Sequence, residues 1–251
     1  DYAKIAIDNY PSSPYFGNIY ISAIYTPPGY TGTGRSFFVI SNDFNSIIRK
    51  NSADLGMGDS AVASIISARG NIYASVRKFA HQFTIYHSSD GGKTFSEANL
   101  ASQNPNCEGF ATISSNNNIA WKIYLGPELA FEDNSNRLYV TWADYTKCTS
   151  EQVKIPLEKP GDYQIYASTS KDYNIYLSYS DDNGATWSNP IIVNDFSGGS
   201  RGFPSIAVDK QGIVYVAFFD HRNDQSKAQY DVYLTKSTNK GVSFSANIKV
   251  N

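Results

Sequence analysis

The chain has 251 residues; 14% are aromatic, with 19 Tyr and 14 Phe, and charged residues reach only 18%, below the roughly 25% usual in soluble proteins. A net charge of −2 without a basic run excludes a nucleic-acid footprint, and no apolar run is long enough to span a membrane. With two cysteines and three scattered histidines, His81, His87 and His221, no Cys/His zinc spacing is present.

The elements read in order as short strands with period-two alternation and no helical periodicity. Asp1 to Lys4 already read as a strand beginning rather than a signal peptide, so any targeting segment is expected outside this sequence. Lys4 to Asp8 and Asn18 to Ile24 open the first unit, followed by Ser36 to Ile40. Ala61 to Ile66, Asn71 to Val76 and Gln82 to His87 repeat that order. So do Glu128 to Glu132, Arg137 to Trp142 and Asn174 to Tyr179. The last unit holds Ser205 to Asp209, Val214 to Phe218 and Asp231 to Lys236. A closing strand follows each unit, such as Pro190 to Asn194 and Asn247 to Asn251. Four units of four strands predict an all-β propeller, a single domain over residues 1–251. Its blades are expected at about 1–50, 51–99, 126–195 and 202–251, with insertions at 100–125 and 144–173.

Between the third and fourth strands lies a repeated octapeptide. Ser180, Asp182, Gly184, Thr186 and Trp187 define it; Ser88, Asp90, Gly92, Thr94 and Phe95 match it. Ser237, Asn239, Gly241, Ser243 and Phe244 match with conservative replacements, and Ser41 to Ser46 is a decayed copy. Asp or Asn can bond back to turn amides, Gly permits positive φ, and the aromatic ring can wedge between sheets. These residues are therefore expected to stabilise turns rather than to catalyse.

Boxes of this form resemble the bacterial neuraminidase repeat, or Asp-box, of sialidases and many non-sialidase propellers. Two longer stretches, Ile5 to Tyr20 and Phe203 to Asn223, resemble interior blades of secreted sialidase-family proteins of bacteria and archaea. The resemblance implies six blades in the relatives, so the four found here are expected to be part of a larger ring, completed by further blades or by a homo-oligomer. It also implies an extracellular or cell-surface location.

The long loops fall on the face that carries second-to-third connections and blade links, which is where binding or chemistry is expected. Arg35, Arg77, Asp144 and Tyr145 lie in or beside those loops as candidate binding residues. Cys107 and Cys148, one in each large insertion, are candidates for a disulfide, which suits an oxidising compartment. The resemblance implies a sialidase site of three arginines, one in an Arg-Ile-Pro motif, with Tyr, Glu and Asp. The nearest approach here, Arg201-Gly202-Phe203-Pro204, sets the Arg one residue too early, and such a slip turns a side chain to the opposite face. Asp220, His221 and Arg222 form the most suggestive cluster, with a structural salt bridge favoured over a site; Glu128 could face a channel or a local network. No cofactor is implied, although Asp220, Asn223 and Asp224 could offer oxygen ligands to calcium without an EF-hand spacing. The preferred expectation is a module that binds glycan or a surface protein. The alternatives are a sialidase-like exo-glycosidase completed outside this chain and a structural surface-layer or filament component.

Overall fold

A computed structural model describes residues 3–25, 35–41, 47–51, 62–77, 83–100, 112–114, 120–122, 126–145, 152–155, 165–168, 173–224 and 229–251. Strands β1 (Lys4–Ile7), β2 (Ile19–Tyr25), β3 (Arg35–Ser41) and β4 (Ile47–Asn51) form the first sheet, in that order. The second holds β5 (Val62–Ala68), β6 (Asn71–Arg77), β7 (Phe83–Ser88) and β8 (Ser96–Leu100). Two hairpins follow in chain order: β9 (Thr112–Ser114) with β10 (Ala120–Lys122), and later β13 (Gln152–Ile155) with β14 (Ile165–Ser168). The third sheet is β11 (Glu128–Glu132), β12 (Arg137–Tyr145), β15 (Tyr173–Ser180) and β16 (Ile191–Ile192). The fourth is β17 (Arg201–Val208), β18 (Val214–Asp220), β19 (Asp231–Ser237) and β20 (Ile248–Lys249). The fold is therefore all-β, four antiparallel four-stranded blades of a β-propeller. Among the described residues no helix is long and apolar enough to cross a membrane.

Packing divides the chain into two compact units: Asp1–Leu100 with Pro127–Val140 and Tyr179–Ser188, and Ala101–Gly126 with Thr141–Ser178 and Asn189–Asn251. In the first, Tyr20 and Ile40 of the first sheet pack on Ile65, Ile72, Ala74, Val76 and Tyr86 of the second, with Ala6 and Phe95 against them. Each large apolar side chain buried this way contributes about 1.5–3 kcal/mol. In the second unit Trp142 stacks on Tyr176 at 5.8 Å and Phe218 on Tyr233 at 6.4 Å.

Several boundaries differ from the sequence expectation. The insertions at 100–125 and 144–173 each contain a short hairpin rather than loop alone. Asp144 and Tyr145 end strand β12 instead of opening the insertion, the strand running three residues past Trp142. The closing strands shrink to Ile191–Ile192 and Ile248–Lys249. Side chains take over the ladder there: Ile175 N donates to Asn194 Oδ1 at 2.8 Å and Val232 N to Asn251 Oδ1 at 2.8 Å.

Candidate functional site

The octapeptide turns share one hydrogen-bond scheme. Ser88, Ser180 and Ser237 are buried, and their hydroxyls accept from Gly92, Gly184 and Gly241 N at 2.9, 2.8 and 2.9 Å. Each serine hydroxyl also donates to the Asp or Asn two residues on, at 2.7–2.8 Å. Asp90 and Asp182 accept from the Thr94 and Thr186 hydroxyls at 2.6 and 2.5 Å. In the fourth blade the polarity reverses, and Asn239 Nδ2 donates to Ser243 Oγ at 2.8 Å. Two successive left-handed residues make the bend, Gly91–Gly92, Asn183–Gly184 and Lys240–Gly241. Burial works against ionisation of Asp90, but bonds from Thr94, Ser88 and Lys93 bring its carboxyl down to about 2. The Thr186 hydroxyl and amide, helped by Ser180, lower Asp182 as well. The decayed copy at 42–46 lies outside the described residues.

A second repeated device escaped the sequence reading. Asp8, Glu132 and Asp209 end the first strands of three blades and organise the next turn. Asp8 accepts from Tyr10 N and Ser13 Oγ at 3.1 and 2.6 Å, Glu132 from Asn134 N and Ser135 N at 2.7 and 2.8 Å. Asp209 accepts from Gln211 N and Ile213 N, both at 2.9 Å. The second blade has Ala68 at this place and turns instead on Arg69–Gly70, both at positive φ. The signal was present in the sequence as an acid closing the first strand in three of four units. A shallow cleft lies at this turn-bearing end, lined by Tyr15, Asn18, Ile40, Ile48, Asp90 and Lys93, away from the loops where a site was expected.

At the other end of the fourth blade, Arg201, Asp220 and Arg222 form a closed cluster. The Arg201 side chain is 0% exposed, and Nε donates to Asp220 Oδ2 at 2.8 Å. Its remaining nitrogens donate to Tyr173 O and Gly198 O at 2.9 and 2.8 Å. Asp220 also accepts from Arg222 N at 2.7 Å and Arg222 Nε at 2.8 Å. Arg222 then reaches Asp195 at 2.8 Å and Asn247 at 3.0 Å, with its guanidinium 4.0 Å over the Tyr233 ring. Burial opposes the charge on Arg222, but Asp220 and Asp195 raise its affinity for the proton. A buried fork whose three bonds go to Asp220 of its own blade, to Tyr173 of the third blade and to Gly198 between them cannot also clasp a ligand carboxylate in this conformation. His221, the middle residue of the cluster, is buried with its ring centroid 3.9 Å from that of Tyr230.

A bulge interrupts the pairing within Arg201-Gly202-Phe203-Pro204. Arg201 pairs with Asp220 and Gly202 with Phe219, and regular pairing resumes at Ser205 with Ala217. Phe203 and Pro204 thus share the space opposite Phe218, and Phe203 has φ 52. Holding a bulky L-residue there costs about 1–2 kcal/mol. At the corresponding place before the third blade stands Gly126, with φ 82. A Cβ on Gly126 would lie 3.0 Å from Thr141 O and 3.3 Å from Pro204 Cγ, so glycine answers both the conformation and the close approach.

The other expected residues scatter. Glu128 is ion-paired with Lys4 at 3.0 Å. Asp144 is buried at the end of its second strand, as Asp220 is. The oxygen groups considered for calcium each have partners within the protein: Asp220 is held by arginines, Asn223 donates to Asp231 and Tyr233 at 2.6 and 2.8 Å, and Asp224 accepts from Gln229 N. Arg35 opens β3 while Arg77 and Tyr145 end β6 and β12, but their side chains lie outside the described residues, as do Cys107 and Cys148.

No protein-family model matches the chain, and no curated protein does. Solved structures do resemble it in fold. A protein of unknown function from Dyadobacter fermentans is 15% identical with a TM-score of 0.63, over 98% of this chain and 68% of that one. A polysaccharide lyase of family PL25, an ulvan lyase, is 12% identical with a TM-score of 0.58, over 99% and 57%. The Hadza microbial sialidase Hz136 is 13% identical with a TM-score of 0.54, over 99% of this chain and 45% of that chain. At these identities the likeness is one of β-propeller fold, shared with glycoside hydrolases and lyases.

Proposed function

We propose that this chain is a glycan-binding β-propeller module of the Asp-box kind, working outside the cell. The observation that carries the proposal is the closure of the Arg201–Asp220–Arg222 cluster: the arginine nearest to an Arg-Ile-Pro position is buried and fully engaged by Asp220, Tyr173 and Gly198 of its own protein. In a fold shared with a sialidase and an ulvan lyase, spent arginines favour holding a glycan over cleaving one. The wild-type protein is expected to retain oligosaccharides on a glycan array and to leave a fluorogenic sialoside intact. Sialoside turnover that disappears in Arg222→Ala would replace this proposal with a sialidase-like hydrolase. The extracellular setting rests on pairing of Cys107 with Cys148. Alkylation without reduction, read by mass spectrometry, is expected to label neither cysteine; two labelled thiols would refute the pairing.

A further inference from the structure

We infer that Phe203 and Phe219, with Tyr230 beside them, are a stacking platform for a hexopyranose ring. The inference rests on the glycan-binding proposal and gives it a place on the fourth blade.

The support comes from comparing neighbouring blades. The third blade has Gly126 and Ala143 where the fourth has Phe203 and Phe219. Gly126 sits against Thr141, Trp142 and Pro204, and Ala143 is 0% exposed, so packing demands small residues there. Phe203 and Phe219 are 37% and 36% exposed. A bulge needed only for the fold would keep the glycine that its left-handed backbone favours. The fourth blade instead holds an aromatic residue at φ 52, with about a third of its surface in solvent. Backbone strain kept at a place where the neighbouring blade manages with glycine points to use of the side chain.

The rings stand at steep angles to one another, so a sugar would lie on the face of one ring with a neighbouring ring at its edge. Phe203 meets Phe219 edge to face, with centroids 5.3 Å apart and planes at 89°. Tyr230 follows at 5.6 Å and 61° from Phe219, and His221 lies beneath Tyr230. Ser205, two residues further along the same strand, is also exposed. A galactose or glucose ring presents one face of C–H groups that covers an aromatic ring, while its hydroxyls keep contact with water and polar neighbours. Aromatic side chains give such area with few rotors to freeze. The Arg201–Asp220 ion pair sits directly beside the bulge, in register with the Gly202–Phe219 pair. Arg201 and Asp220 are thereby positioning residues, which lock the two strands that carry the rings.

The test compares wild type, Phe203→Gly and Phe219→Ala on an array of oligosaccharides ending in galactose, glucose, N-acetylglucosamine or sialic acid, with melting temperatures and light scattering on each. Wild type is expected to bind galactose- or glucose-terminated chains, and both variants to bind them roughly tenfold more weakly. Phe203→Gly should melt no lower than wild type, because glycine suits φ 52. Unchanged binding in Phe203→Gly would overturn the platform and leave the glycan proposal standing, whereas a wild type that binds nothing would remove both. A lower melting temperature in Phe203→Gly would also overturn it, marking Phe203 as a packing residue. So would a wild-type oligomer that Phe203→Gly converts to monomer, since a second copy would then cover the rings.

Discussion

The two ends of the fourth blade satisfy polar groups in opposite ways. At one end, the turn from Ser237 to Ser243 is a local device: its hydrogen bonds join residues within a few positions, and its Asn239 is exposed. At the other, Arg201, Asp220 and Arg222 gather partners from Tyr173 to Asn247, and the central ion pair has no exposed surface. The local device recurs in three blades and tolerates Asn for Asp with reversed polarity. The long-range cluster depends on every partner, because a charge left alone in a buried site has no water to turn to. Redundancy goes with locality, and vulnerability with burial.

The largest effect should come from breaking the buried end. Asp220→Ala leaves Arg201 without its counter-ion and is expected to cost about 3–5 kcal/mol, read as a fall in the urea midpoint at unchanged slope. Replacing Arg201 by Met and Asp220 by Leu together should cost less than Asp220→Ala alone, since no uncompensated charge remains. A double variant at least as damaged as the single one would mean that the cluster's geometry, not its charge balance, holds the blade.

Within the turns, the buried serine should outweigh the exposed acid. Ser180→Ala strands the buried Gly184 N–H and is expected to cost about 1–3 kcal/mol. Asp182→Ala should cost about 1 kcal/mol, because water can take over at an exposed side chain. The reverse order in thermal unfolding would break the distinction drawn between burial and locality.

The turns should also differ with pH. The Asp90 carboxyl is held down to about 2 from an ordinary 3.8, so its stabilising share is full above about pH 4 and lost as pH falls toward 2. Asp90→Asn is expected to flatten that part of the stability profile, while the native Asn239 turn contributes nothing to it. An unchanged acid limb in Asp90→Asn would assign the loss to other carboxylates. Smallest of all should be Arg137→Lys. Arg137 forks onto half-exposed Asp181 at 2.6 and 2.7 Å over the Tyr179 ring, and losing the fork should cost no more than about 1 kcal/mol.

Strand alternation and the spaced Ser, Asp and Gly of the octapeptides were enough to read all-β blades from the sequence, because these signals are local and repeat. The same holds for the acids Asp8, Glu132 and Asp209, which were legible in the repeat although not read from it. What only tertiary structure decided is the fate of Arg201 and Phe203. Counting along the strand set Arg201 one residue early but carried no sign of the bulge at Phe203–Pro204 or of the guanidinium's burial against Asp220, 19 positions away. Whether a bulge forms, and whether an arginine ends inside or outside, depends on neighbours brought together by pairing, and spacing in one strand carries no record of them.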